Sequence, residues 1–441
     1  MRINVRLWAM VLAVVSGLAF GEEYIEGAES VRSEELGQRH IFVFLDGTGN
    51  NAGTETNVYK LYREVLALKE PSISTVYLPG VGSALGADAT RMVAESGLGK
   101  NQQQRIISGY RFVAAEYRQF DRVYLFGFSR GAMEARALAG WLSYSGVPKL
   151  TDSDRAALQS SASGEYELGN SILQKVQYVR DAEYVEAWRA WTPASPPVIA
   201  DFLRKEMSSQ EFQSVPVAFV GVWDTVPGST FKEYGQCKEK IGGFKRKVWW
   251  LPGVDRGERY KLLAYPPIAA IAHTVSLDEQ RSTFRPVLVC DEYGEVPSRK
   301  PNELMQIAFP GAHSDVGGGY PTHPEFDKEG ALPNHSLNWM IDALKPHFPA
   351  AARISARDAD AMALAHWSIG DAPGNIRANC ESRRELGWMA KVSRHDSVSK
   401  RASAEYGAPI RFFAGKKNGA DVIQEEKRPY PDDCKLGQGP N

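Results

Sequence analysis

Apolar positions in this chain follow two alternating periods. Ile41-Phe42-Val43-Phe44-Leu45 and Val123-Tyr124-Leu125-Phe126 are apolar without a break, and Val217-Ala218-Phe219-Val220-Gly221-Val222 departs only at a glycine. Runs of that kind predict strands buried on both faces of a parallel sheet. Between them the period changes. Val58, Leu61, Tyr62, Val65 and Leu68 recur at helical spacing after Asn57, and 103–119 and 132–138 read as two further helices. Shorter strands are predicted at 75–78 and 304–309. Strand and helix in regular alternation predict an α/β fold, a mostly parallel sheet with helices on both faces.

Two stretches break this rhythm. Residues 148–211 are polar and helix-favouring, notably at 172–176 and 184–188, and Thr192-Pro193-Ala194-Ser195-Pro196-Pro197 interrupts them. They predict a helical cap inserted between sheet strands. A second insertion at 228–267 is basic and aromatic, with Lys245-Arg246-Lys247-Val248-Trp249-Trp250-Leu251 inside it. Cations beside adjacent tryptophans suit contact with a membrane interface, and equally a folded loop with its indoles turned inward. The main domain is expected to span 41–345, preceded by a polar arm at 22–40. A C-terminal extension at 346–441 is expected to pack on it, with one late strand at 410–413.

The first 21 residues carry two arginines, then an apolar stretch, then Ala19-Phe20-Gly21. This is the pattern of a signal peptide and predicts export, to the periplasm or outside the cell. Export changes the reading of Cys237, Cys290, Cys380 and Cys434, since an oxidising compartment permits disulfides among them. Four cysteines allow three pairings, and Cys290, in an apolar run, also fits a buried thiol. With 43% hydrophobic residues over 441 positions, the chain can bury a large core and is not disordered as a whole. Its 52 basic and 53 acidic residues nearly cancel, so nucleic acid is not an expected partner.

Chemistry concentrates where the predicted strands end. Gly127-Phe128-Ser129-Arg130-Gly131 follows one strand and opens directly into a helix, the context in which Gly-x-Ser-x-Gly makes a nucleophile elbow. Gly127 and Gly131 are expected to permit the close backbone approach of that turn, and Ser129 to be the nucleophile. A serine hydroxyl needs a base and a group to orient that base. In α/β-hydrolases these follow in the order serine, acid, histidine. Asp224 closes the strand at 217–222, and His313 follows the strand at 304–309 within Gly311-Ala312-His313-Ser314-Asp315-Val316-Gly317-Gly318-Gly319. His273 and His395 are rival bases. The oxyanion donors are expected to be the backbone N–H groups of Arg130 and Gly47, with Asp46 bracing the Gly47 loop.

Phe44-Leu45-Asp46-Gly47-Thr48, the elbow, Gly221-Val222-Trp223-Asp224-Thr225-Val226 and the 309–319 stretch, taken together, resemble one family. It is the α/β-hydrolase family of uncharacterised domains that includes the phospholipase effectors of bacterial type VI secretion. Pro79-Gly80-Val81-Gly82 and Ser276-Leu277-Asp278-Glu279-Gln280-Arg281 fit the same pattern, so the resemblance runs from about residue 41 to 320. It implies a Ser-Asp-His esterase acting on phospholipid acyl bonds, with those roles on Ser129, Asp224 and His313. An inhibitory or delivery protein is a further partner it implies, whereas the leader favours an ordinary exported enzyme.

The expectation is therefore a serine hydrolase of lipid esters that needs no metal and no cofactor. Two rivals are a metal-dependent phosphoesterase built on Asp46, Asp224, His273, His313 and Asp315, and a non-catalytic binding module on a hydrolase fold.

Overall fold

The structure is a computed structural model. It describes residues 26–29, 37–83, 100–160, 260–281, 284–290, 304–320, 330–366, 368, 392–402, 409–417 and 420–427, together with 169–226 apart from 170, 173, 178, 180–182 and 208–209. The leader at 1–21, most of the 22–40 arm, the 245–251 segment and three of the four cysteines, Cys237, Cys380 and Cys434, lie outside these residues.

Eight strands form one sheet: β1 (Glu26–Glu29), β2 (His40–Leu45), β3 (Ile73–Leu78), β4 (Arg122–Phe128), β5 (Val217–Trp223), β6 (Ile271–Ser276), β7 (Leu304–Phe309) and β8 (Ser393–Arg394). Their spatial order is β1-β3-β2-β4-β5-β6-β7-β8. Every neighbouring pair is parallel except β1 with β3. Five helices matter for the site: α1 (Asn57–Ala67), α2 (Lys100–Glu116), α3 (Arg130–Ser145), α4 (His313–Gly317) and α5 (Pro333–Leu344).

Strand alternation sorts the core into two layers. Ile41, Val43 and Leu45 pack with Ile106, Tyr110, Leu138 and Trp141 from α2 and α3. Phe42 and Phe44 face the other way, toward Val58, Leu61 and Val65 of α1 and Leu337, Met340 and Leu344 of α5. That second face is aromatic, with Phe42 stacked on Tyr124 at 4.4 Å and Phe44 on Phe126 at 5.1 Å between ring centroids. Burying each such side chain contributes about 1.5–3 kcal/mol, so a continuous apolar strand needs cover on both sides. This is why the unbroken runs became the sheet centre.

The order also fixes where a ligand fits. From β2 the chain moves outward to β3 and then crosses back to β4 on the other flank of β2. The connections leaving β2 and β4 therefore diverge, and open parallel sheets bind ligands in the crevice this leaves at the strands' carboxyl ends. The loop after Leu45 and the turn at Ser129 border that crevice.

Several elements differ from the sequence expectation. β3 begins at Ile73, and the helix expected at 103–119 spans Lys100–Glu116. The 148–211 insertion contains helices Asp152–Ser160, Val185–Arg189 and Ala200–Glu206. β6 was not expected, because His273, Thr274 and Ser276 interrupt its apolar run; all three are fully buried, and His273 and Ser276 bond neighbouring loops. After residue 345 the chain returns to the sheet as β8. The late strand at 410–413 lies within a hairpin, Pro409–Lys417 with Ala420–Lys427. Cys290 is not a free buried thiol but is disulfide-bonded, its partner lying outside the described residues. Among the described residues no helix is long and apolar enough to cross a membrane.

Candidate active site

β4 delivers Ser129 into a tight turn. Ser129 has φ 58° and ψ −124°, a conformation that costs a non-glycine residue of order 1–3 kcal/mol, and its side chain caps nothing. Backbone bonds hold it there: its N–H donates to Trp223 O at 3.0 Å, and its C=O accepts from Val226 N–H at 3.2 Å. The elbow is thus tied to the end of β5. A Cβ on Gly127 would lie 2.2 Å from Gly131 O, and one on Gly131 would lie 2.1 Å from Leu45 O. Both contacts are with backbone that cannot swing aside, so β4, α3 and β2 meet this closely only through glycine.

Asp224 stands just beyond β5, fully buried, at φ 37°. Its Oδ1 accepts from Ser276 N–H at 3.0 Å, and its Oδ2 lies 2.6 Å from His313 Nδ1. His313 begins α4, after β7, and is itself buried. Since a carboxylate only accepts, Nδ1 carries the proton and Nε2 keeps its lone pair. That Nε2 is buried and has no hydrogen-bond partner. The imidazole is wedged against Phe128, the residue before Ser129, at 4.6 Å, and meets Phe284 edge-on at 5.0 Å. Burial holds the His313 pKa below its ordinary value; the Asp224 hydrogen bond and charge oppose this, and Arg281 adds to it.

The rival histidines have other occupations. His273 Nε2 accepts from Thr225 N–H at 3.2 Å while Nδ1 faces Gln306 Oε1 at 3.1 Å, so this ring fastens the residue after Asp224 to β7. His395 stacks on Phe309 at 4.5 Å and bonds Ser397 Oγ at 2.8 Å. Neither bonds Asp224. The ligand set drawn up for a metal site is likewise dispersed, with Asp46, His273 and Asp315 each in a separate hydrogen-bond cage. Among the described residues no group of three or more His, Cys, Asp or Glu is placed to hold a metal ion.

The loop expected to supply an oxyanion donor lies beside Ser129. A Cβ built on Gly47 would come 3.1 Å from Ser129 Cβ, so the loop borders that side chain. Yet the Gly47 N–H is already engaged, donating to Asp46 Oδ1 at 2.7 Å. The engagement has a physical cause. Asp46 is fully buried, and burial pushes its carboxyl up to about 6 despite bonds from Thr56 Oγ1 and Tyr77 OH, both at 2.6 Å, and from Gly47. Such a group gathers every donor in reach. Thr48 Oγ1, in the same loop, is buried and has no hydrogen-bond partner. Arg130 opens α3, so its N–H has no intrahelical acceptor.

Sequence reading missed the supports of these groups. Arg105 reaches from α2 to Asp46 O and Leu78 O at 2.9 and 3.2 Å, and pairs with Glu134 of α3 at 3.0 Å. Glu279 Oε2 accepts the His313 N–H at 3.2 Å. Glu134, a charge directly after the small and apolar run Gly131-Ala132-Met133, was the available signal, since such charges are buried only when paired.

Comparison with known proteins gives the chain a family. A family model described as "T6SS, Phospholipase effector Tle1-like, catalytic domain" matches residues 39–343. An uncharacterized protein of Saccharomyces cerevisiae is 31% identical over 263 residues, which are 56% of this chain and 32% of that protein, so the match spans about a third of its length. Among solved structures, an uncharacterized protein from Pseudomonas aeruginosa aligns at 17% identity and TM-score 0.35, over 72% of this chain and 47% of that one. The Tle1 effector bound to the VgrG spike of the type 6 secretion system aligns at 18% identity and TM-score 0.29, over 68% and 54%. The chain belongs to the family of Tle1-like phospholipase effector catalytic domains.

Proposed function

We propose that this protein is a serine esterase that cleaves carboxylic ester bonds of lipids, a phospholipase, with Ser129 as nucleophile, His313 as general base and Asp224 as the group that orients the base. One observation carries the reading: His313 presents a buried, unpartnered Nε2 beside the Ser129 elbow while Asp224 fixes the proton on Nδ1. A buried imidazole nitrogen left without a partner costs stability, and one beside a serine elbow is free to take the hydroxyl proton.

In the proposed reaction, Nε2 takes the hydroxyl proton as Ser129 Oγ attacks the acyl carbon. It then returns that proton to the departing alcohol, and later draws one from water to release the acid. No hydrogen bond joins Nε2 to the serine in this conformation. Such bonds commonly tighten only around substrate. The oxyanion would be met by the Arg130 N–H and by the 47–48 loop, where Thr48 Oγ1 is unengaged and Gly47 N–H is shared with Asp46. Family membership supports the lipid substrate, an exported site of action and delivery by a partner protein.

The test is fatty-acid release from phosphatidylethanolamine and phosphatidylglycerol vesicles, with p-nitrophenyl butyrate in parallel, each with and without EDTA. Hydrolysis of both, indifferent to EDTA, with a fluorophosphonate labelling the Ser129 peptide, is the expected result. Labelling elsewhere, or abolition by EDTA, would bring the reading down.

Acid dependence gives a second check. Since burial lowers the His313 pKa, Nε2 stays unprotonated, and the base competent, to a pH below the ordinary 6.5. kcat/KM should fall only as pH drops through that lowered value. A pH–rate profile with its acid limb at or above 6.5 contradicts the assignment.

A further inference from the structure

The turn that carries His313 is held by two carboxylates. Asp315 Oδ2 accepts from Ala312 N–H at 2.8 Å, immediately before the histidine. Glu279 Oε2 accepts from the His313 N–H itself. Both carboxylates are buried, and both are gripped in turn by one short segment. His366 donates from Nδ1 to Asp315 Oδ1 at 2.7 Å and from its backbone N–H to Asp315 Oδ2 at 2.8 Å. Ser368 Oγ donates to Glu279 Oε1 at 3.0 Å. His366 and Ser368 are buried as well, and Tyr320, three residues past Gly317, stacks on the His366 ring at 3.8 Å between centroids.

The segment is itself anchored. Ala365 and His366 form a short strand paired in parallel with Ile410 and Arg411 of the C-terminal hairpin. All of this lies beyond residue 343, where the family match ends.

We propose that His366 and Ser368 brace the general base as positioning residues, and that the working catalytic unit therefore extends past residue 343. The inference rests on the role proposed above for His313. Its physical content is geometric. A base that must meet a serine proton within hydrogen-bond reach loses about 100-fold for a displacement near 1 Å. Two buried carboxylates fix the two successive peptide N–H groups that lead into His313, and each would lose a donor if the brace were cut.

The test uses the full chain and p-nitrophenyl butyrate, with wild type first shown to lose activity on fluorophosphonate labelling of Ser129. His366→Ala is expected to lower kcat about 10- to 100-fold with KM within about twofold, because the brace acts on the base and not on the substrate. His366→Asn places an amide donor near the position of Nδ1, keeps the bond to Asp315 and should restore most of kcat. His366→Gln extends one carbon too far and should not. Ser368→Ala, a smaller change, should lower kcat several-fold. Thermal melts confirm that each variant is folded at the assay temperature. If His366→Ala fails to fold, the Asn and Gln pair and Ser368→Ala decide the question. Wild-type kcat in Ser368→Ala together with equal kcat in the Asn and Gln variants overturns the brace while leaving the serine reading intact. Wild-type activity that survives labelling of Ser129 overturns both.

Discussion

Ser129→Ala is expected to lower kcat/KM on p-nitrophenyl butyrate by about 10⁴-fold or more while leaving the thermal midpoint nearly unchanged. The asymmetry follows from what the hydroxyl does in the fold. The Ser129 side chain makes no capping bond to α3, and the backbone bonds to Trp223 and Val226 belong to main-chain atoms that alanine also has. Alanine meets the same strain at φ 58° that serine does. The change therefore subtracts the nucleophile and little else. Residual turnover should persist above the uncatalysed rate, since the Arg130 N–H and the 47–48 loop still favour an oxyanion if His313 directs water at the ester. Wild-type turnover in the purified alanine variant, measured against a fluorophosphonate-inhibited control, would falsify the nucleophile assignment.

Asp224→Asn should be nearly as damaging, about 10⁴-fold in kcat, although it changes one atom. Two neighbours of the Asp224 carboxylate set the outcome. Ser276 offers a backbone N–H to Oδ1, and that donor cannot turn away. An asparagine in this cavity must keep its carbonyl oxygen on Ser276, which points its NH2 at His313 Nδ1. The ring then accepts there and carries its proton on Nε2, the atom that has to receive the serine proton. Geometry is preserved and the base is blocked. Asp224→Ala removes the acceptor that both His313 Nδ1 and the Ser276 N–H use in a buried site, so it should match Asn in activity but melt lower by several degrees. Steady-state kinetics and melting curves on the two variants decide this. An Asn variant within tenfold of wild type means that Asp224 does not set the tautomer.

Much of the sheet was legible because its central strands are buried on both faces and so read as unbroken apolar runs. β2, β4 and β5 are of this kind, and so are the strand-end loops that hold Gly47, Ser129 and Asp224. β6 was not legible. Its buried positions include His273 and Ser276, which are accommodated by hydrogen bonds to Thr225, Gln306 and Gly311, 33 to 48 positions away and beyond the reach of a periodicity argument. β8 is two residues long and exposed, too short to leave any period.

For the site, the chain by itself determined the chemistry on offer: a serine on a strand–turn–helix elbow, and an aspartate and a histidine each after a strand. Those are local properties, set by backbone conformation over about ten residues and by the need of strands to be covered. Only the tertiary structure decided which histidine meets Asp224, since His273, His313 and His395 each follow or occupy strands of the same sheet and differ in the loops packed around them. It also decided that the Gly47 N–H is shared with Asp46, whose burial at the end of β2 makes it collect donors. Contacts of that sort join residues tens to hundreds of positions apart, and their strength depends on excluded water. Burial, and with it the proton on His313 and the grip on Asp224, exists only once the sheet has closed over them.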